Sequence, residues 1–100
     1  MTTYKKHLAE HRRLSILRAA LMNNFKINES ITQTVLAEFG LVAPREEIRA
    51  EFTWLAEAGL GKTEELSPTL MVFTINQRGK ETAKGIKLVD GVAEPGPEMA

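Results

Sequence analysis

The sequence predicts a mainly α-helical domain that carries one small β-hairpin, and three observations predict it. Apolar residues recur at helical spacing in three successive segments between Tyr4 and Ala58. After Leu60 that spacing gives way to two short extended runs separated by a proline turn. Gly40, Gly59 and Gly85 stand where helices would stop. At 100 residues, 43% hydrophobic and 26% charged, the chain supports one core and is expected to form a single domain.

The first helix is expected from Tyr4 to about Asn23, a stretch without Pro or Gly in which Leu14, Leu17 and Leu21 mark a buried stripe. Leu8, Ala9, Ile16 and Ala19 fall on another side of the same helix. An apolar second face on so small a domain predicts a homodimer, with Leu8, Ile16 and Ala19 at the subunit contact. Asn28 or Ser30 can cap the second helix, with Ser30 and Gln33 at capping-box spacing. Its buried stripe reads Ile31, Val35, Leu36 and Phe39, and Gly40 closes it. Pro44 then suits the first turn of a third helix, Arg45 to Ala58, with Ile48, Phe52 and Leu55 facing inward. Lys62 to Leu66 and Leu70 to Ile75 read as the strands of the hairpin, and Asn76 caps a short fourth helix over Gln77 to Lys84. The domain is thus expected over residues 4–85. Residues 86–100 form an extension whose Gly91, Pro95, Gly96 and Pro97 predict a loose end.

Three helices, a two-stranded hairpin and a further helix, with a Trp-Leu-x-x-x-Gly-Leu junction leading into the hairpin, is the winged helix-turn-helix pattern. The segments YKKHLAEHRRLSILR, NESI, EFTWLAEAGL, TINQRG and AKG narrow the match. They resemble a family of small winged-helix proteins encoded by Mu-like phages and prophages, similar to regulators of the arsenic-repressor and multiple-antibiotic-resistance-repressor type. The resemblance spans residues 4 to about 92. It implies a winged helix-turn-helix fold, a phage origin and possible dimerisation; an operator or ligand does not follow from it. This chain departs from the pattern at Pro44, where a serine-like cap is expected, at Gly61 in place of a β-branched residue, and at Ser67-Pro68 in place of a glycine-rich hairpin tip. The last two predict a hairpin with a weakened grip on DNA.

Charge separates the two functional readings. Thirteen basic residues balance thirteen acidic ones, so attraction to nucleic acid has to come from local asymmetry. The first helix supplies some, because residues 5–18 hold Lys5, Lys6, Arg12, Arg13 and Arg18 against Glu10, a net +4. On the third helix, Glu46, Ala50, Thr53 and Glu57 lie opposite the inward stripe, flanked by Arg49. There Arg45 and Arg49 face four glutamates, a net −2 between Arg45 and Ala58. One reading is a homodimeric accessory transcription regulator that binds duplex DNA weakly and in a salt-sensitive way. Its contacts would be Arg45, Arg49, Thr53, Lys62, Arg12 and Arg13. The alternative is a winged-helix module that contacts another protein and does not read DNA.

Chemistry of other kinds finds little support. His7 to His11, HLAEH, matches an inverted zinc-peptidase pattern and places both histidines on one helical face. A third ligand is missing, since the chain has two histidines, and the flanking lysines and arginines oppose a divalent cation. The chain has no cysteine and no glycine-rich phosphate loop, so no enzyme, metal or cofactor is expected. No apolar run approaches the length of a membrane span, and a cytoplasmic protein of the bacterial host cell is the simplest expectation.

Overall fold

The computed structural model describes residues 2–96. Four helices and three strands follow in the order α1 (Thr2–Met22), β1 (Lys26–Asn28), α2 (Glu29–Glu38), α3 (Arg45–Glu57), β2 (Gly61–Ser67), β3 (Leu70–Ile75) and α4 (Gln77–Ala83). The strands form one antiparallel sheet in the order β1-β3-β2. The arrangement is compatible with a winged helix.

Each boundary has a local cause. α1 ends at Asn24 and Phe25, both left-handed with φ of 60° and 72°. The Phe25 amide reaches back to the Ala20 carbonyl at 2.7 Å, which satisfies an end carbonyl of the helix. The Lys80 ammonium sits 3.8 Å from the centre of the Phe25 ring. Asn28 caps α2, its side chain accepting from the Ile31 amide at 2.8 Å, and Asn76 caps α4 in the same way through the Gly79 amide. The Ser30–Gln33 capping box does not form, because Gln33 donates to the Ala43 carbonyl instead. Pro44 brings no side-chain cap to α3, and Glu46 and Glu47 fill the first turn, where the helix dipole favours negative charge.

The hairpin matches the expected pair of strands, with Gly61 opposite Ile75 and Glu65 opposite Met71. A Cβ at Gly61 would collide with the Thr74 carbonyl oxygen and the Phe73 ring, so close packing of the sheet on the core explains the glycine there. The third strand was not foreseen. Three residues are too few to show a period, yet Ile27 is buried opposite Phe73 in β3.

The core joins Leu14, Ile16, Leu17 and Ala20 of α1 to Leu36, Ile48, Phe52, Leu55, Leu60, Phe73 and Ile75. Phe52 and Phe73 stack with ring centres 5.7 Å apart. Burying a side chain of that kind contributes about 2 kcal/mol. Two sequence-based expectations are corrected here. Ile16, placed at a subunit contact, is completely buried within its own chain, because α1 is packed on several sides by α2, α3, α4 and the sheet. On α2 the buried face consists of Glu29, Thr32 and Leu36, while Ile31 and Phe39 are exposed and Val35 is half-buried. Polar groups can occupy that inner face because both find partners: the Thr32 hydroxyl donates to the Asn28 carbonyl at 2.7 Å, and Glu29 meets arginines of α3.

Beyond α4 the chain returns along α1. The Ala93 amide donates to the Glu10 carbonyl at 3.2 Å, and Val92 is buried. Residues 97–100, the end of the extension expected to be loose, lie outside the described residues. Among the described residues no helix is long and apolar enough to cross a membrane.

Candidate nucleic-acid interface

α3 buries Ile48, Glu51, Phe52 and Leu55 and exposes Arg45, Glu46, Ala50, Thr53 and Glu57. The exposed strip runs beside the hairpin, since α3 packs on β2 and Arg49 spans the gap between them. Its Nη1 donates to the Pro68 carbonyl at 3.2 Å, and its Nη2 lies 3.4 Å from Glu65 Oε1. The proline turn at the hairpin tip is thereby tied to the middle of α3.

Below Arg49 lies Glu29, whose side chain is only 2% exposed. Arg49 Nε stands 2.8 Å from Glu29 Oε2 without the N–H being aimed along the contact, so the attraction is one of charge. Arg45 Nη2 is 3.5 Å from the other carboxylate oxygen. Thus a buried acid at the start of α2 holds both arginines of α3. The side chain of Arg45 stays 44% exposed and that of Arg49 27% exposed. A guanidinium has five N–H donors, and Arg45 commits one nitrogen to this pair.

The other two candidate cations of the helical region are placed differently. Arg12 donates through Nε and Nη2 to Glu51 Oε2, at 3.1 and 3.0 Å. Arg13 Nε donates to Glu51 Oε1 at 2.7 Å. The Arg13 guanidinium also lies 4.0 Å above the Trp54 ring, and its Nη1 donates to the Gly91 carbonyl at 2.9 Å. Gly91 has a φ of +96°, and a Cβ there would strike the Trp54 indole. The cluster therefore fastens α1, α3 and the returning C-terminal segment together. Both arginines are largely enclosed in it, with side chains 17% exposed, and neither stands open beside Arg45.

Of the remaining candidates, Thr53 is exposed and its hydroxyl donates to the Arg49 carbonyl one turn back, at 3.1 Å. Lys62 is exposed on β2. Leu8 and Ala19 are half-buried on α1, and Ala19 packs against the core. His7 Nδ1 lies 3.5 Å from Glu10 Oε1. Among the described residues no three His, Asp or Glu side chains converge on a point that could hold a metal ion.

Sequence reasoning overlooked the two buried acids. For Glu51 the signal was present, because position 51 falls inside the stripe formed by Ile48, Phe52 and Leu55. A glutamate there has to be buried and therefore paired. Its burial also changes the reading of α3: one of the four glutamates is enclosed, and Glu47 lies 4.0 Å from Arg12 Nη2. The acids left on the exposed strip are Glu46 and Glu57.

No family model matches the chain, and no solved structure matches it. Over 90 residues the chain is 40% identical to the "Uncharacterized protein gp26" of Escherichia phage Mu, covering 90% of this chain and 93% of that protein. An uncharacterized protein of Haemophilus influenzae is 33% identical over 76 residues, 76% of this chain and 74% of its own length. The chain is thus a member of the family of the phage Mu protein gp26.

Proposed function

We propose that this phage protein is a winged helix-turn-helix protein that contacts duplex DNA through the start of α3 and the β2–β3 hairpin, as an accessory transcription regulator. A strand between the first two helices that pairs with the hairpin, and an α3 whose outer strip is uncovered, support the fold assignment. The observation that carries the function is Glu29 beneath Arg45 and Arg49. Removing a carboxylate from water costs several kcal/mol, so an acid that is 2% exposed is a costly way of attaching a helix. What it provides is position: two guanidinia are held at the exposed start of α3, and side chains already held lose less freedom on binding.

In this reading the uncommitted N–H groups of Arg45 and Arg49 reach phosphate oxygens or the O6 and N7 edge of guanine. Lys62 adds a phosphate contact from the hairpin. Glu46 and Glu57 on the strip, with Glu64 and Glu65 on β2, repel phosphate and keep the affinity low. Anisotropy titrations of labelled phage duplex over a salt series test this. Three phosphate contacts predict that log K falls against log salt with a slope of about −2 to −3.

A second reading has its own observation. Among the exposed residues of α3 and the hairpin, five glutamates (Glu46, Glu47, Glu57, Glu64 and Glu65) outnumber Arg45 and Lys62, which suits a basic protein partner. Absence of duplex binding at ~50 mM salt, where phosphate contacts are strong, would remove the DNA reading and leave this one.

A further inference from the structure

Arg49 has an acid on each side of it, and the two differ in how easily they are displaced. On the inner side Nε stands 2.8 Å from Oε2 of the buried Glu29. On the outer side Nη2 meets Oε1 of Glu65 at 3.4 Å, and the Glu65 side chain is 61% exposed. Parting a buried acid from its cation leaves an unsolvated charge, whereas an exposed pair is weak and exchanges with other ions. The outer partner is therefore the one that gives way. Glu65 also stands at a break in the sheet. The register of β2 on β3 shifts between Glu65 and Ser67, and Leu66 between them is exposed. A bulge of this kind interrupts the ladder and bends its strand. Beyond it the tip is joined to the sheet by Ser67 opposite Leu70, and to α3 by Arg49 Nη1 on the Pro68 carbonyl at 3.2 Å.

We infer that Glu65 is a built-in competitor for Arg49, whose carboxylate holds the outer side of the guanidinium and closes the hairpin on α3 until a phosphate of duplex DNA displaces it. The inference rests on the DNA reading proposed above and adds a control to that same surface. Carboxylate and phosphate offer a guanidinium the same kind of anionic oxygen acceptor, and two anions at one nitrogen repel each other. When phosphate takes the place of Glu65, that side chain turns to solvent and the tip gains freedom at the bulge. Glu29 meanwhile keeps the guanidinium on α3. Affinity is thus held down by a contact inside the protein, in addition to the repulsion that Glu46 and Glu57 exert from the strip.

Anisotropy titrations of labelled phage duplex with Glu65→Gln and Glu64→Gln, each alone and combined with Arg49→Ala, test the inference. Glu64 carries the same charge one residue earlier on β2, opposite Val72, and by the alternation of a strand it points to the other face, so it controls for charge alone. Glu65→Gln should tighten binding about three- to fivefold, the scale of one exposed ion pair, and steepen the salt slope by about one. Glu64→Gln should gain less than about twofold. With Arg49→Ala present the two should gain alike. In the free chain, Glu65→Gln should also speed amide hydrogen exchange at Thr69 and Leu70, and Glu64→Gln should not. Equal gains from both changes in the parent chain overturn the inference, as does weaker binding by Glu65→Gln or an unchanged exchange rate at the tip. These comparisons decide it even if Arg49→Ala fails to fold. A parent chain that binds no duplex removes the DNA reading itself, and this role of Glu65 with it.

Discussion

Two pairs of arginines in this molecule each close on one buried glutamate, and the outcomes differ. Arg12 and Arg13 meet Glu51 through three hydrogen bonds and keep only 17% of their side-chain surface exposed. Arg45 and Arg49 meet Glu29 through longer or poorly aimed contacts and keep 44% and 27%. The first pair is further engaged by Trp54 and the Gly91 carbonyl. In the second, Arg45 is exposed at the start of α3, and Arg49, one turn on, also reaches Glu65 and the Pro68 carbonyl. The contrast shows that counting cations along a sequence does not tell which of them the fold encloses. What differs is how much of each side chain its partners leave exposed, and on which side of the helix it lies.

If the Glu51 cluster is a fastening, breaking it should have the largest effect on stability. Glu51→Ala leaves two partly buried guanidinia without their acceptor and should destabilise the chain by about 3 kcal/mol, which chemical denaturation would register. A loss below about 0.5 kcal/mol, typical of a surface change, would remove the lock from the comparison. Gly91→Ala comes next, at about 2 kcal/mol, because the added Cβ meets the Trp54 ring in a left-handed backbone conformation. Thermal unfolding should reveal that loss, and DNA binding measured below the new melting point should be unchanged.

Glu29→Gln sharpens the other half of the comparison. It removes the charge that holds Arg45 and Arg49 and should lower stability by about 1 to 2 kcal/mol. Unlike Gly91→Ala, it should also weaken DNA binding at temperatures where the fold is intact. Loss of stability with DNA affinity unaltered would make Glu29 a fastening like Glu51. The smallest effect is expected from Glu46→Gln with Glu57→Gln, which takes two negative charges off the exposed strip. Binding should strengthen by less than about 1 kcal/mol and become steeper in salt. Weaker binding by this variant would mean that one of these acids makes a contact, such as acceptance from a cytosine amino group.

How much of this could be read in advance depended on whether the decisive partners were near in sequence. α1, α3 and the hairpin follow from apolar period, and the Asn28 and Asn76 caps from local residue choice, because those signals lie within one or two turns. The buried face of α2 did not follow. Its apolar period points to Ile31 and Phe39, while the face that packs is decided by Glu29 meeting arginines of a different helix. The fate of Arg12 and Arg13 was hidden for the same reason, since their acceptor lies 38 to 39 residues away. Arg45, Arg49 and Thr53 could be placed together because one helix carries them all. β1, with three residues, has too little length to announce itself.

The most direct test of the account is a paired titration of labelled phage duplex with Arg45→Ala and Arg12→Ala, each at a temperature where unfolding measurements show it folded. Arg45 is the cleaner of the outward pair to remove, because Arg49 still accompanies Glu29. The account predicts that Arg45→Ala weakens binding by about 1 to 3 kcal/mol and lowers the salt slope by about one, as loss of a single contact should. Arg12→Ala should reduce stability and leave the affinity of the folded protein unchanged. The reverse pattern, with Arg12→Ala abolishing binding and Arg45→Ala binding like the parent, would contradict the account.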